Sequence, residues 1–200
     1  MINSMDLIFF IQSKTVNLEK FILKDLPGSS GRFDVICRCI IAALDNNFIS
    51  EIFVQVWVFL PRYGTFIFNA RELNLETFPK NELLLAKKFK DFIFQIDQDL
   101  KIKKDSITIF EAINKFMKDD NKVIFLSESG QNFDKFIIDE RDINQLVCII
   151  GDQTGDLIKS RELKKLNLPE VSFGKKSYLA SSVIRLIKIA LMNCSKNFKF

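Results

Sequence analysis

Short, largely apolar runs alternate with helical stretches through the second half of this chain, and that alternation limits the fold more than any other feature. Residues 123–126, 146–150 and 170–173 are too short for helices, and each gives way to glycine or small polar residues. Such runs read as strands buried on both faces of a sheet. Around them, residues 81–96 and 106–117 carry amphipathic helical spacing, the second with Ser106 as its N-cap. Residues 160–166 read as a short charged helix. Residues 178–192 close the chain as a helix in which Leu179, Val183, Leu186, Ile187, Ala190 and Leu191 recur near the helical repeat. Alternation of this kind builds an α/β fold, a mostly parallel sheet flanked by helices. In the first half, residues 7–11 form a strand. Residues 53–60, stopped by Pro61, pair across Arg62-Tyr63-Gly64 with 65–68 as a hairpin.

The 200 residues fit one domain spanning 1–200. A hydrophobic share of 48%, including 21 Phe, supplies a core, and 27% charged residues sets aside disorder and fibres. No uncharged apolar run reaches about 18 residues, so no transmembrane helix and no membrane partner is expected. Asp6, and the lack of a basic cluster before the first apolar run, speak against a signal peptide and for a cytoplasmic protein. The net charge of +4 permits contact with a nucleic-acid backbone without demanding it. Cys37, Cys39, Cys148 and Cys194 form no C-x-x-C pair, and the chain has no His, so they read as reduced core residues and no metal is expected. The absence of His also removes Ser–His and Cys–His pairs. Catalysis is left to carboxylates, Lys, Arg, Tyr, backbone amides or a reactive cofactor.

In a parallel sheet, ligands bind beyond the carboxyl ends of the strands. Three exits combine small residues with polar ones: Leu126-Ser127-Glu128-Ser129-Gly130, Ile150-Gly151-Asp152-Gln153-Thr154-Gly155 and Ser172-Phe173-Gly174-Lys175-Lys176-Ser177-Tyr178. None is a dinucleotide fingerprint or a P-loop. A fourth constellation opens the helix expected over 32–45. Ser30 or Gly31 can cap it, Asp34 and Arg38 share one face, and its nearly all-round apolarity implies deep burial or a subunit interface.

The stretch Lys24-Asp25-Leu26-Pro27-Gly28-Ser29-Ser30-Gly31-Arg32-Phe33-Asp34-Val35-Ile36-Cys37-Arg38-Cys39 resembles the motif K-D-L-P-G-S-x-G-R-[LF]-D-x-x-x-R-C of the archaeal tRNA pseudouridine-54 N1-methyltransferase family. The similarity continues through Ile149-Ile150-Gly151-Asp152 and Val171-Ser172-Phe173-Gly174-Lys175-Lys176-Ser177-Tyr178-Leu179-Ala180, and so spans nearly the whole chain. The resemblance implies a SPOUT-type α/β fold with a C-terminal deep trefoil knot, its cofactor-binding part covering about residues 120–195. It also implies a homodimer, tRNA as the partner and S-adenosylmethionine as the methyl donor, held among the three exits. Leu126 would pack on the donor and Gly151 would admit it closely. Phe173, Gly174, Lys175, Lys176, Ser177 and Tyr178 would wrap it. Val183 stands where the family often has Cys, keeping an apolar contact but no thiol; Gln153 stands where His often follows Gly-Asp.

The implied reaction needs an oriented base, because the neutral N1 of pseudouridine is a poor nucleophile that must also lose its proton. On the resemblance, Asp34 is the candidate to hydrogen-bond or accept that proton. Arg32 is the candidate to bind phosphate or polarise the base, and Arg38 to orient Asp34. The target base lies in a folded loop and must be turned out to be reached. Two rival readings keep the fold: a methyltransferase for pseudouridine in ribosomal RNA, and a non-catalytic RNA-binding assembly factor.

Overall fold

A computed structural model describes residues 5–45, 52–119, 121–140, 143–151 and 156–197, with the backbone alone at 156 and 195–197. Seven strands form one sheet: β1 (Met5–Gln12), β2 (Ile52–Leu60), β3 (Gly64–Asn69), β4 (Lys103–Asp105), β5 (Lys122–Asn132), β6 (Gln145–Ile150) and β7 (Glu170–Ser172), in the order β4-β3-β2-β1-β6-β5-β7. The run β2-β1-β6-β5-β7 is parallel throughout, while β3 and β4 add antiparallel strands at one edge. The alternation of apolar runs and helices thus gives the mostly parallel sheet it implies, and 53–60 and 65–68 do form the hairpin. Because the five parallel strands run the same way, their carboxyl ends share one rim of the sheet.

Side-chain alternation divides the core in two. Leu7, Phe9 and Ile11 of β1 face helices α2 (Phe33–Leu44), α3 (Glu82–Ile93), α5 (Phe133–Asp139) and α8 (Ala180–Asn197). Ile8 and Phe10 face the other way, onto Trp57, Phe59 and the helices α4 (Ile109–Lys118), α6 (Asp156–Lys159) and α7 (Arg161–Lys165). A four-residue turn of helix, α1 (Leu26–Ser29), precedes α2. The apolar surround of α2 is used up inside one chain. Phe33, Ile36, Cys37, Cys39, Ile40 and Leu44 are all buried, and Phe33 lies 5.2 Å from Phe89 of α3 between ring centres. Full burial of a Phe side chain is worth about 2–3 kcal/mol. Of the two readings of that apolarity, deep burial is therefore the one the fold uses. Burial pushes the Cys39 thiol up to about 12 and raises Cys37 and Cys148 as well, so all three are poor nucleophiles.

Several local features depart from the sequence reading. The N-cap of α4 is Thr108, not Ser106: Thr108 Oγ1 accepts from Glu111 N–H at 3.3 Å and Glu111 Oε2 accepts from Thr108 N–H at 2.8 Å, a reciprocal box. The short helix α5 was not expected; Asn132 caps it and buries Phe133 and Phe136 one turn apart. Strand β5 does not stop at Leu126. Leu126 and Gln131 both pair with Val171, so residues 127–130 are looped out of an otherwise continuous strand.

Helix α8 returns across the molecule to α2. Its Lys188 is buried, and its Nζ donates to the carbonyls of Ala42 (3.2 Å), Ala43 (2.9 Å) and Asp45 (2.6 Å). Those carbonyls lie at the C-terminal end of α2, where a cation complements the helix dipole.

Candidate active site

The site begins with the chain entering α2. Asp25 caps α1, its Oδ1 accepting from Gly28 N–H at 3.2 Å. Ser29 Oγ accepts from Ile22 N–H (2.8 Å) and donates to the Asp25 carbonyl (2.6 Å). Ser30, fully buried, donates to the Leu26 carbonyl and accepts from Phe33 N–H (3.1 Å), so it takes up the first orphan amide of α2. Gly31 then turns at φ +63° against the strand exit, where an added Cβ would sit 1.9 Å from the Thr15 carbonyl oxygen. Only glycine fits that approach. Arg32 also takes a left-handed φ, 67°, which turns its side chain back along the helix it precedes.

That geometry closes a charge cluster. Arg32 grips Asp34 through two bonds, Nε to Oδ1 at 3.1 Å and Nη2 to Oδ2 at 3.2 Å. Arg38 Nη2 reaches the same Oδ2 at 3.4 Å. Asp34 is 2% exposed, so a charged carboxylate is buried but fully paired. Its hydrogen bond and charge raise the Arg32 pKa above the ordinary value. Arg38 forms its own fork with Glu82 of α3, Nε to Oε1 at 2.8 Å and Nη2 to Oε2 at 3.0 Å, which raises its pKa in turn.

Arg32 and Arg38 both line a cleft of about 790 Å³ on the carboxyl rim of the sheet. Its opposite walls come from the loop-out within β5 (Leu126, Ser127 and Glu128), the end of β6 (Ile150 and Gly151) and the segment after β7 (Phe173, Gly174, Lys176, Ser177 and Tyr178). Val183 of α8 closes the end. The looped-out residues of β5 are tied to β7, since Ser127 and Ser129 both donate to Glu170, whose carboxyl they hold below the usual range. An added Cβ on Gly130 would sit 2.5 Å from the Glu170 carbonyl carbon, so the two backbones are in direct contact. Gly151 is less constrained: a Cβ there would meet only the tip of the Ile158 side chain, at 2.5 Å, which can move aside.

The structure thus gathers ten of the twelve residues singled out from sequence along one cleft. Asp34 lies behind the two arginines rather than on the surface, and Lys175 is exposed but does not line the cleft. Gln153 lies outside the described residues. Sequence reasoning missed Glu82, Val35, Glu128, Ile158 and Lys159. Glu82 is 44 residues from Arg38, and nothing in the spacing links them; Glu128 was visible within an exit but carried no separate signal. Among the described residues, no group of His, Cys, Asp and Glu could hold a metal ion, and no helix is long and apolar enough to cross a membrane.

A family model described as "Putative SAM-dependent RNA methyltransferase" matches residues 5–195. The chain belongs to this family. Among curated members of the SAM-dependent RNA methyltransferases, it is 29% identical to the tRNA (pseudouridine(54)-N(1))-methyltransferase of Pyrococcus abyssi, over 92% of this chain and 96% of that one. It is 28% identical to the enzyme of the same name from Methanosarcina mazei, over 90% and 87%. Among solved structures, Archaeoglobus fulgidus Nep1 bound to S-adenosylhomocysteine superposes with a TM-score of 0.59 at 16% identity, covering 96% of this chain and all of that one. That likeness shows the shared fold.

Proposed function

We propose that this protein transfers a methyl group from S-adenosylmethionine to N1 of pseudouridine 54 in tRNA, the reaction named for its relatives. The observation that carries the reading is the cleft: one chain sets an arginine pair, locked around a buried aspartate, opposite the loop-out of β5 and the ends of its parallel neighbours β6 and β7. The cleft fits the donor in size, since small-molecule sites run about 300–1,000 Å³. It fits in chemistry too, with apolar Leu126, Ile150 and Val183 beside Glu128 and the glycines Gly151 and Gly174. When bound, S-adenosylmethionine supplies a methyl group on a positively charged sulfur.

The chain's own residues do the rest. Leu126 and Val183 offer apolar contact, Gly151 keeps the β6 exit low, and Phe173, Gly174, Lys176, Ser177 and Tyr178 form the wall that wraps the donor, with Lys175 outside it. The Phe173 ring is stacked on Phe133 at 4.8 Å, which anchors that wall to the core. Arg32, whose side chain is 47% exposed, is placed to donate to a base carbonyl beside N1, where negative charge grows as N1 loses its proton. Asp34 has both oxygens engaged, so its burial favours the role of anchoring Arg32 and Arg38 over open contact with the base. In the SPOUT reading, the cofactor-binding part, about residues 120–195, includes a C-terminal trefoil knot. The protein works in the cytoplasm as a homodimer, the second copy helping to seat the tRNA. The decisive assay is methyl transfer from labelled donor to tRNA carrying pseudouridine or uridine at position 54, and to ribosomal RNA fragments carrying pseudouridine. Label only in the pseudouridine tRNA is expected. Label in ribosomal RNA alone, or in neither despite donor binding, would replace the proposal by one of its rivals.

A further inference from the structure

We propose that Glu82 is a positioning residue for the arginine pair, acting on Arg32 through Arg38 and Asp34. The proposal rests on the reading that this pair works at the cleft. Four side chains of alternating charge form a row, Glu82–Arg38–Asp34–Arg32, running from α3 across α2 to the cleft wall. Within it, Arg38 is bound more closely by Glu82, with bonds of 2.8 and 3.0 Å, than by Asp34, with one of 3.4 Å. Glu82 therefore draws Arg38 away from Asp34 and leaves the aspartate's fork to Arg32, which fills it at 3.1 and 3.2 Å.

The placement of Glu82 is set by the start of α3 and by the packing behind it. It is the first residue of α3, just after the cap in which Asn81 Oδ1 accepts from Leu84 N–H at 2.9 Å. A carboxylate there suits the positive end of the helix dipole. Behind it, Leu85, Ala86 and Phe89 are fully buried, and Phe89 meets Phe33 of α2, so α3 cannot slide relative to Arg38. With Glu82 neutralised, both arginines compete for one carboxylate. Arg38 then pulls on Asp34, and Arg32 loses the two-point grip that aims it at the cleft.

The test uses the full-length protein and the near-isosteric Glu82→Gln. First, hydrogen exchange of the Arg32 Nε–H is followed by NMR, the resonance assigned by its loss in Arg32→Lys. Exchange about 10-fold faster in Glu82→Gln is expected, because a charged fork is broken; unchanged exchange overturns the proposal. Second, kcat/KM on pseudouridine tRNA is measured for Glu82→Gln, Arg38→Gln and the double variant. A loss of about 10-fold in the wild-type background that shrinks below about 2-fold beside Arg38→Gln is expected, since residues acting through one another are not additive. Equal losses in both backgrounds overturn it. The exchange arm does not depend on catalysis. A wild type that methylates no RNA refutes the proposed activity and leaves Glu82 to be decided by exchange alone.

Discussion

The loop before α2 and the segment after β7 face each other across the cleft, and they are built in opposite ways. Between Asp25 and Asp34 nearly every polar group is satisfied nearby: Asp25 caps Gly28, Ser29 binds Ile22 and Asp25, Ser30 binds Leu26 and Phe33, and Arg32 binds Asp34. After β7, Ser172 Oγ holds Gly174 at both its N–H and its carbonyl, and then the bonding stops. Among the described residues, Lys175 to Tyr178 make no hydrogen bond, and 174–179 are exposed. The charged wall is therefore complete before any ligand arrives, whereas the other wall leaves its amides and side chains free to be ordered by one. Charge that acts on a transition state works best when fixed in advance, while a binding wall can gain its order from the ligand it holds.

Variants on each side test that contrast. Asp34→Asn should have the largest effect. It removes the charge that holds both arginines, so turnover should fall about 100-fold, as for loss of a buried charge-assisted pair. Calorimetry should find donor affinity changed by less than about 2-fold, and a parallel loss of donor binding would mean the two walls are not separate. Gly31→Ala comes next. Its Cβ would strike the Thr15 carbonyl at a positive φ, so denaturant unfolding should show a loss of about 2 kcal/mol. A neutral result would mean that the loop is less fixed than its hydrogen bonds imply.

A smaller effect concerns the link between the regions, Lys188. Burial pushes its pKa down to about 8 against an ordinary 10.5; Asp45 opposes the shift and Arg185 adds to it. Above pH 8 the folded state sheds a proton that the unfolded chain keeps up to about 10.5, so stability should rise with pH through that window, by up to about 1 kcal/mol per unit. Melting curves of the wild type and Lys188→Met across that range isolate the term, which should be absent from the variant. The smallest effects belong to the exposed wall. Lys176→Ala, at the cleft, should weaken tRNA binding about 3-fold and reduce its salt slope by about one ion. Lys175→Ala, outside the cleft, should change it less; the reverse order would reassign which lysine faces the ligand.

The same contrast explains what was legible beforehand. The motif from Lys24 to Cys39 could be read because much of its structure is local: Gly28, Ser29 and Ser30 each bond within a few residues, and Gly31 makes a tight turn. The parallel strands were legible because burial on both faces leaves continuous apolar runs. Strand β4, Lys103–Asp105, was not, being three charged and exposed residues with no apolar pattern, paired to β3 and with Lys104 over the Phe66 ring. The loop-out of β5 was equally hidden, since two separate residues pairing with Val171 leaves no periodic trace. Glu82 was hidden because it meets Arg38 through the packing of α3 on α2, and single-sequence spacing carries no tertiary distance.

The central claim, that this cleft methylates N1 of pseudouridine 54 in tRNA, is tested most directly by mass spectrometry of tRNA from cells lacking the protein. The account predicts unmethylated pseudouridine at position 54 where the parent cells carry the N1-methylated base, with the methyl restored by the wild-type gene but not by Asp34→Asn. Full methylation at that position without the protein would contradict it.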